Sequence, residues 1–294
     1  MYIYVRNPDS NDSDKDTYVV GLTEQKDFRT SRRGCDKCKE YTFTTEQFHK
    51  YAANKQLKYV RIVAENNEEL RKLAEVLSDT NIYNIWPGID PYKNFDLSPL
   101  VLLNNTASIS IYYNLKITKL WDMSKNRRLE CFRLSDCNHV SDFSCLMHSN
   151  IEELTLTGCN YLSSFTSKLH IDDLSFLFEM PKLKDLALDI VKDQSDAYYL
   201  KTFSKLTNLR VLTLPDGFFT FEQYAWLAAH LPGVEGLEPY REVYDTYCII
   251  GYRKPRELTD MKKVKQYEQQ YNELMAMYKD CDIPPEKPCK KSTS

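Results

Sequence analysis

Between Leu129 and Phe165 apolar residues fall at fixed intervals. The chain reads Leu129-x-x-Phe132-x-Leu134-x-x-Cys137-x-x-Val140-x-x-Phe143-x-x-Leu146, then Ile151-x-x-Leu154-x-Leu156-x-x-Cys159-x-x-Leu162-x-x-Phe165. The second run restarts 22 residues after the first. Alternation at Phe132/Leu134 and Leu154/Leu156 predicts short strands with one buried face. Self-similarity with a period in the twenties predicts a solenoid of stacked units.

The same spacing extends in both directions from this pair. Upstream, Leu57-x-x-Val60-x-Ile62 precedes an amphipathic helix over Glu68–Ser78, with Leu70, Leu73, Val76 and Leu77 on one face. Ile82-x-x-Ile85 is a degraded unit, because Pro87 stands where the third apolar residue belongs; it recovers with Phe95, Leu97 and Leu100. The next has Thr106 at the anchor, then Ile109, Ile111, Asn114, Ile117 and Leu120. Downstream come Leu183-x-x-Leu186-x-Leu188 and Leu209-x-x-Leu212-x-Leu214, the latter followed by a helix near Phe221–Leu231. Anchor spacings are 25, 24, 23, 22, 32 and 26, and the 32 marks an insertion around Thr166–Met180.

The ends of a stack need covering, since a terminal unit has no neighbour on one side. Residues 1–56 are predicted as an N-terminal cap of short strands (Tyr2–Val5, Tyr18–Leu22, Tyr41–Thr44) and a helix from Thr44 or Thr45 to about Lys55. The repeats are assigned to 57–240. A last strand is expected near Val234–Glu238. Residues 241–280 form a C-terminal cap, with a hairpin arm over Tyr244–Arg253 and a helix over Leu258–Lys279. Its apolar stripe is Met261, Val264, Tyr267, Tyr271, Leu274 and Tyr278. Residues 281–294, rich in Pro, Lys and Ser, read as a disordered tail.

This layout fixes which residues are available to a partner. Parallel strands stack at about 4.8 Å whereas packed helices need about 8–10 Å, so the sheet lies on the concave side of a curved molecule. Strand residues between the inward leucines face outward. They include Tyr59, Arg61, Trp86, Tyr112, Arg133, Glu153, Asp185 and Asp189, aromatic and cationic in the first half and acidic in the second. Aromatics with arginine are the usual interface anchors, and the change of sign would orient what binds.

Leu129–Phe165 and its flanking units resemble the leucine-rich repeat family, over roughly Leu57–Tyr240. The chain is similar to short intracellular members found in bacteria, and Gly251-Tyr-Arg-Lys-Pro255 resembles a segment that often follows their last repeat. The resemblance implies an α/β leucine-rich repeat solenoid used for protein–protein contact, with no catalytic residues.

Composition narrows the remaining options. The 294 residues carry a formal net charge of -3, which gives no electrostatic case for nucleic acid or an anionic membrane. The N-terminus has no basic segment followed by an apolar run, so no signal peptide is expected, and no stretch is long enough to span a bilayer. Nine cysteines, several at interior repeat positions, fit a reducing compartment, so the expectation is a cytoplasmic monomer.

Candidate chemistry is sparse. Cys35-Asp-Lys-Cys38 is the single C-x-x-C, flanked by Arg32, Arg33, Lys37 and Lys39. It reads as an ordinary turn, with half a zinc site or a redox pair as the alternatives. Cys137 and Cys159 occupy the position that fills the turn after the strand, where Asn114 serves by hydrogen bonding. His139 and His148 near Cys137 and Cys145 read as loop residues rather than metal ligands, and Glu152–Glu153 and Asp172–Asp173 as solvated surface. No phosphate-binding, nucleophile-elbow or zincin motif occurs. The expected function is a noncatalytic module that binds a protein or peptide on the concave sheet, with no cofactor. An immunity-type inhibitor of an enzyme or toxin, and a metal- or redox-dependent regulator using Cys35 and Cys38, are the alternatives.

Overall fold

Every repeat anchor becomes a buried residue, and every strand begins two residues after its anchor. The computed structural model describes residues 2–6, 17–22, 39–54, 56–89, 91–158, 169–252, 254 and 256–286, with backbone alone for 2–43 and 88–89. The chain forms two compact units, residues 1–182 and 183–294.

In the first unit three N-terminal strands form, β1 (Tyr2–Arg6), β2 (Thr17–Leu22) and β3 (Lys39–Phe43), the last beginning two residues before the expected Tyr41. They extend the main sheet. β1 runs antiparallel to β2 and to β4 (Tyr59–Ala64), while β2 and β3 are parallel. Helix α1 (Thr45–Asn54) starts at a reciprocal cap: Gln47 N donates to Thr44 Oγ1 (3.2 Å) and Thr44 N donates to Gln47 Oε1 (2.9 Å).

From β4 onward the strands are parallel and in register: β5 (Asn84–Ile89), β6 (Ser108–Tyr112), β7 (Cys131–Ser135) and β8 (Glu153–Thr157). Val60, Ile85, Ile109, Phe132 and Leu154 stand side by side as one inward row, all buried. Ile111, Leu134 and Leu156 continue a second. Pro87 is less of a breach than the pattern implies. It is buried opposite Ile62 and fills the third apolar position. What it costs is hydrogen bonding: it has no N–H, and the β5–β6 register stops at Ile85↔Ile109.

The return segments carry a repeat of their own. Helix α2 (Asn67–Ser78), capped by Asn66, serves the first unit of the series. The next four use 3-10 turns at Ser98–Leu102, Met123–Lys125, Ser144–Leu146 and Ser175–Glu179. Each opens on Asp–apolar–Ser: Asp96-Leu97-Ser98, Asp122-Met123-Ser124, Asp142-Phe143-Ser144 and Asp173-Leu174-Ser175. In all four the serine N–H donates to the aspartate Oδ1, at 3.0, 3.1, 2.9 and 3.0 Å. The middle residue is buried every time. The fourth of these turns lies inside the insertion at Thr166–Met180. Its described part is a core element, with Leu169, Ile171, Phe176 and Met180 buried and Phe176 5.8 Å from Phe143.

The second unit opens with parallel strands β9 (Asp185–Asp189) and β10 (Val211–Thr213), each followed by a helix: α3 (Asp196–Ser204) and α4 (Phe221–His230). The strand expected at Val234–Glu238 is reduced to a single bridge, Val211↔Glu235. A three-stranded antiparallel sheet follows, β11 (Tyr240–Val243), β12 (Thr246–Ile249) and β13 (Arg256–Leu258). Helix α5 (Met261–Tyr278) then lays Tyr267 and Tyr271 edge-on against Phe221, at 5.8 and 5.2 Å. Tyr271 Oη donates to the Leu237 carbonyl (2.6 Å).

Residues 281–286, placed by composition in the tail, run along α4. Trp226 Nε1 donates to the Cys281 carbonyl (2.8 Å), Gln223 Nε2 to the Pro285 carbonyl (3.1 Å), and Tyr278 Oη to Glu222. Residues 287–294 lie outside the described ones.

Candidate functional site on the outward face of the sheet

The pleat sends alternate residues of β4–β8 to opposite sides, and the side away from the apolar core is built in three rows. The first is Tyr59, Asn84, Ser108, Cys131 and Glu153; the second joins Arg61 to Trp86 and Ser110 to Arg133 to Thr155; the third joins Tyr112, Ser135 and Thr157. Of the residues singled out from sequence, Tyr59, Arg61, Trp86, Tyr112, Arg133 and Glu153 therefore share this face. In the second unit Asp185 and Asp189 flank buried Leu186 and Leu188 on β9 in the same alternating way.

Size alternates along the face. Ser108, Ser110, Cys131 and Ser135 are buried although they point outward, because larger side chains stand around them. Three aromatics stand well exposed: Tyr59 is 45% exposed, Tyr83 49% and Trp86 38%. Tyr83 was not foreseen. It precedes β5, and alternation alone would turn it inward, yet its ring lies 6.4 Å from that of Tyr59, edge to face. Trp86 sits between two neighbours. The Arg61 guanidinium is 4.8 Å from its ring centre, and Tyr112 meets it edge-on at 5.0 Å. At the far ends of these strands Tyr92 and Tyr113 are joined through their hydroxyls.

The charge pattern is partly compensated within the face. Arg133 Nη2 lies 3.5 Å from Glu153 Oε2, a long contact between exposed groups that contributes little. Burial pushes the Tyr83 phenol above its ordinary range; the sulfur of Cys131 and the carboxylates of Glu153 and Glu130 add to the effect. The hydroxyls of Tyr59, Tyr83 and Tyr112 and the indole N–H of Trp86 make no hydrogen bond among the described residues.

The remaining candidates are framework or lie elsewhere. Asn114 Oδ1 accepts from Lys116 N and Ile117 N, both at 2.8 Å, and its Nδ2 donates to the Lys93 carbonyl (3.1 Å). Cys137 fills the equivalent place one unit on, where burial pushes its thiol up to about 12. His148 Nδ1 is 3.7 Å from Glu179 Oε2. No three metal-capable side chains converge among the described residues. Cys35, Cys38 and Cys159 lie outside them. In the second unit a cleft of 160 Å³ between β10 and the antiparallel sheet is spanned by Arg241, which donates to both oxygens of Asp216 at 2.9 and 3.1 Å. No described helix is long and apolar enough to cross a membrane.

No protein-family model matches the sequence, and no curated protein matches it. Among solved structures, the chain is similar to an internalin (inlF) of Listeria monocytogenes, a leucine-rich repeat protein. The likeness has 17% identity and a TM-score of 0.40 over 58% of this chain and 49% of that one. The chain thus spans about half the length of that solved chain.

Proposed function

We propose that the protein is a noncatalytic binding module of the leucine-rich repeat type that docks another protein on the outward face of β4–β8. The observation that carries this reading is the Arg61–Trp86–Tyr112 stack with Tyr59 and Tyr83 beside it. Large aromatics with polar tips are held upright by their neighbours and remain more than a third exposed in three cases. Such residues cost little side-chain entropy to fix and bury much area on contact, which is the profile of an interface anchor. The small buried residues between them keep the floor of the face flat. On this reading Glu153 helps orient the partner rather than supply its affinity.

The test is affinity capture from native lysate with the intact protein as bait, repeated with Trp86→Ala combined with Tyr112→Ala. Loss of a stoichiometric partner protein, with circular dichroism and melting unchanged, is the expected result. Capture that survives both substitutions would place the interface elsewhere.

A further inference from the structure

The second unit carries a surface whose occupant is visible, because the chain fills it with its own residues 281–286. Beneath them lie Gln223, Trp226 and His230 of α4, three and four residues apart and therefore on one helix face. Gln223 is fully buried and Trp226 is 1% exposed. The His230 ring stacks on the indole at 4.0 Å, and its Nδ1 donates to the Trp226 carbonyl at 2.8 Å.

This surface presents donors and withholds acceptors. Trp226 Nε1 and Gln223 Nε2 donate to the Cys281 and Pro285 carbonyls, at 2.8 and 3.1 Å. The acceptors beside them are engaged. Gln223 Oε1 accepts from the Thr220 N–H (3.0 Å), the Trp226 carbonyl from His230, and a Glu222 carboxylate oxygen from Tyr278 Oη. An occupant must therefore bring carbonyls and bury few N–H groups, since a buried N–H would find no acceptor there. Consecutive prolines meet that demand: they have no N–H, and their extended backbone leaves its carbonyls free. Pro284 is the buried residue of the segment, and Pro285 supplies the second carbonyl.

The hold on the segment is light. Ile283, beside the buried proline, stands 75% exposed. Two side-chain hydrogen bonds and one buried ring tie down six residues near a chain end, where local opening is easiest.

We propose that the Gln223–Trp226–His230 stripe of α4 is a docking site for extended segments containing two consecutive prolines. Residues 281–286 keep it closed, and a proline-containing segment of a partner protein binds by displacing them. The site is independent of the sheet face assigned above.

The experiment is fluorescence polarisation with the full chain and a labelled peptide, acetyl-Ser-Asp-Ile-Pro-Pro-Glu-Lys, which copies residues 281–287 with serine for the cysteine. Wild type should bind it weakly, because only the fraction with the segment released is competent. Pro284→Gly combined with Pro285→Gly loosens the segment and should tighten peptide binding roughly tenfold or more. In that background Trp226→Phe, which keeps a ring and removes the N–H, should weaken binding several-fold. A peptide with alanine for both prolines should bind roughly tenfold more weakly. In the unaltered chain, the Trp226 indole N–H should exchange with solvent at least tenfold faster than the most protected α4 amides. Exchange of that indole only on global unfolding would overturn the proposal. So would loss of the fold in the glycine variant, absence of saturable binding to it, or equal binding of the alanine peptide. Dimers of the wild-type chain that the peptide dissociates would give the site to a second copy and overturn its assignment to a partner.

Discussion

The Asn126 side chain donates from Nδ2 to the carbonyl of Leu100, 3.0 Å away in the preceding return turn. The same nitrogen lies 3.3 Å from the Leu103 carbonyl, and Asn126 Oδ1 accepts from the Trp121 indole at 2.7 Å. One fully buried amide thus ties two successive units together and satisfies a buried tryptophan. Asn126→Ala would strand that indole N–H and the carbonyls of the turn above. We expect a loss of about 2–4 kcal/mol, the upper part of the range for one exposed hole in a buried network, read as a lower urea midpoint. Asn126→Asp should be at least as damaging, because it buries a charge and loses the amide donor to the Leu100 carbonyl. A change below about 0.5 kcal/mol would mean the network relaxes around water.

The Asp–apolar–Ser turns give the fold an acid sensitivity whose sign is fixed. The hydrogen bonds from Ser144 hold the Asp142 carboxyl below the usual range, the backbone N–H contributing most, and the Ser124 hydroxyl does the same for Asp122. Both carboxylates bind protons less readily folded than unfolded. Their stabilisation is therefore present in full above the unfolded value near 4 and lost as pH falls through the folded ones. Melting temperature should fall between about pH 5 and pH 3. Asp122→Asn with Asp142→Asn retains the acceptor and removes the titration, so its melting curve should be flatter over that interval. An unchanged slope would assign the acid sensitivity to other groups.

What could be read in the sequence follows from where the constraint is local. Inward leucines obey a strict alternation, so the seven repeat anchors and the strands that follow them were legible, down to the Asn114 and Cys137 positions in the turn, whereas the strand expected at Val234–Glu238 shrank to one bridge. Pro87 was misjudged because a pattern of apolar letters counts proline as a break, while the side chain packs well and only its missing N–H matters. The Asp–apolar–Ser turns escaped notice because their spacing drifts with return-segment length, and because their signal is polar rather than apolar. Tyr83 was missed for a different reason: alternation governs a strand, and Tyr83 lies one residue before β5 begins. The docking of residues 281–286 depends on Gln223 and Trp226, far away in the chain and on another element, and composition is blind to that.

Thr106 occupies an anchor position that elsewhere holds leucine or isoleucine. It is 1% exposed, and its hydroxyl has no hydrogen-bond partner among the described residues. A buried hydroxyl without a partner costs free energy that a methyl group of nearly the same shape does not. Thr106→Val should therefore stabilise the protein by about 1–2 kcal/mol, seen as a raised urea midpoint with an unchanged slope. Destabilisation would show that the hydroxyl is hydrated in solution.

Two glycines near the end of the parallel strands separate backbone strain from crowding. Gly233 and Gly236 both have positive φ, +81° and +93°. Around Gly233 a side chain would meet nothing within 4 Å, so Gly233→Ala should cost only the conformational penalty, about 1–2 kcal/mol. At Gly236 a Cβ would collide with the Leu212 carbonyl oxygen, a backbone atom held in the approach that carries the Val211↔Glu235 bridge. Gly236→Ala must therefore part the chain from β10 as well as strain it. We expect it to exceed Gly233→Ala by roughly 2 kcal/mol, within the range for overpacking. It should also increase hydrogen exchange at Leu212 and Glu235, whose N–H groups donate to the Glu235 and Arg210 carbonyls at 2.9 and 2.8 Å. Equal costs for the two substitutions, with exchange at those amides unaltered, would show that the close approach at Gly236 does not hold the segment after α4 to the strand.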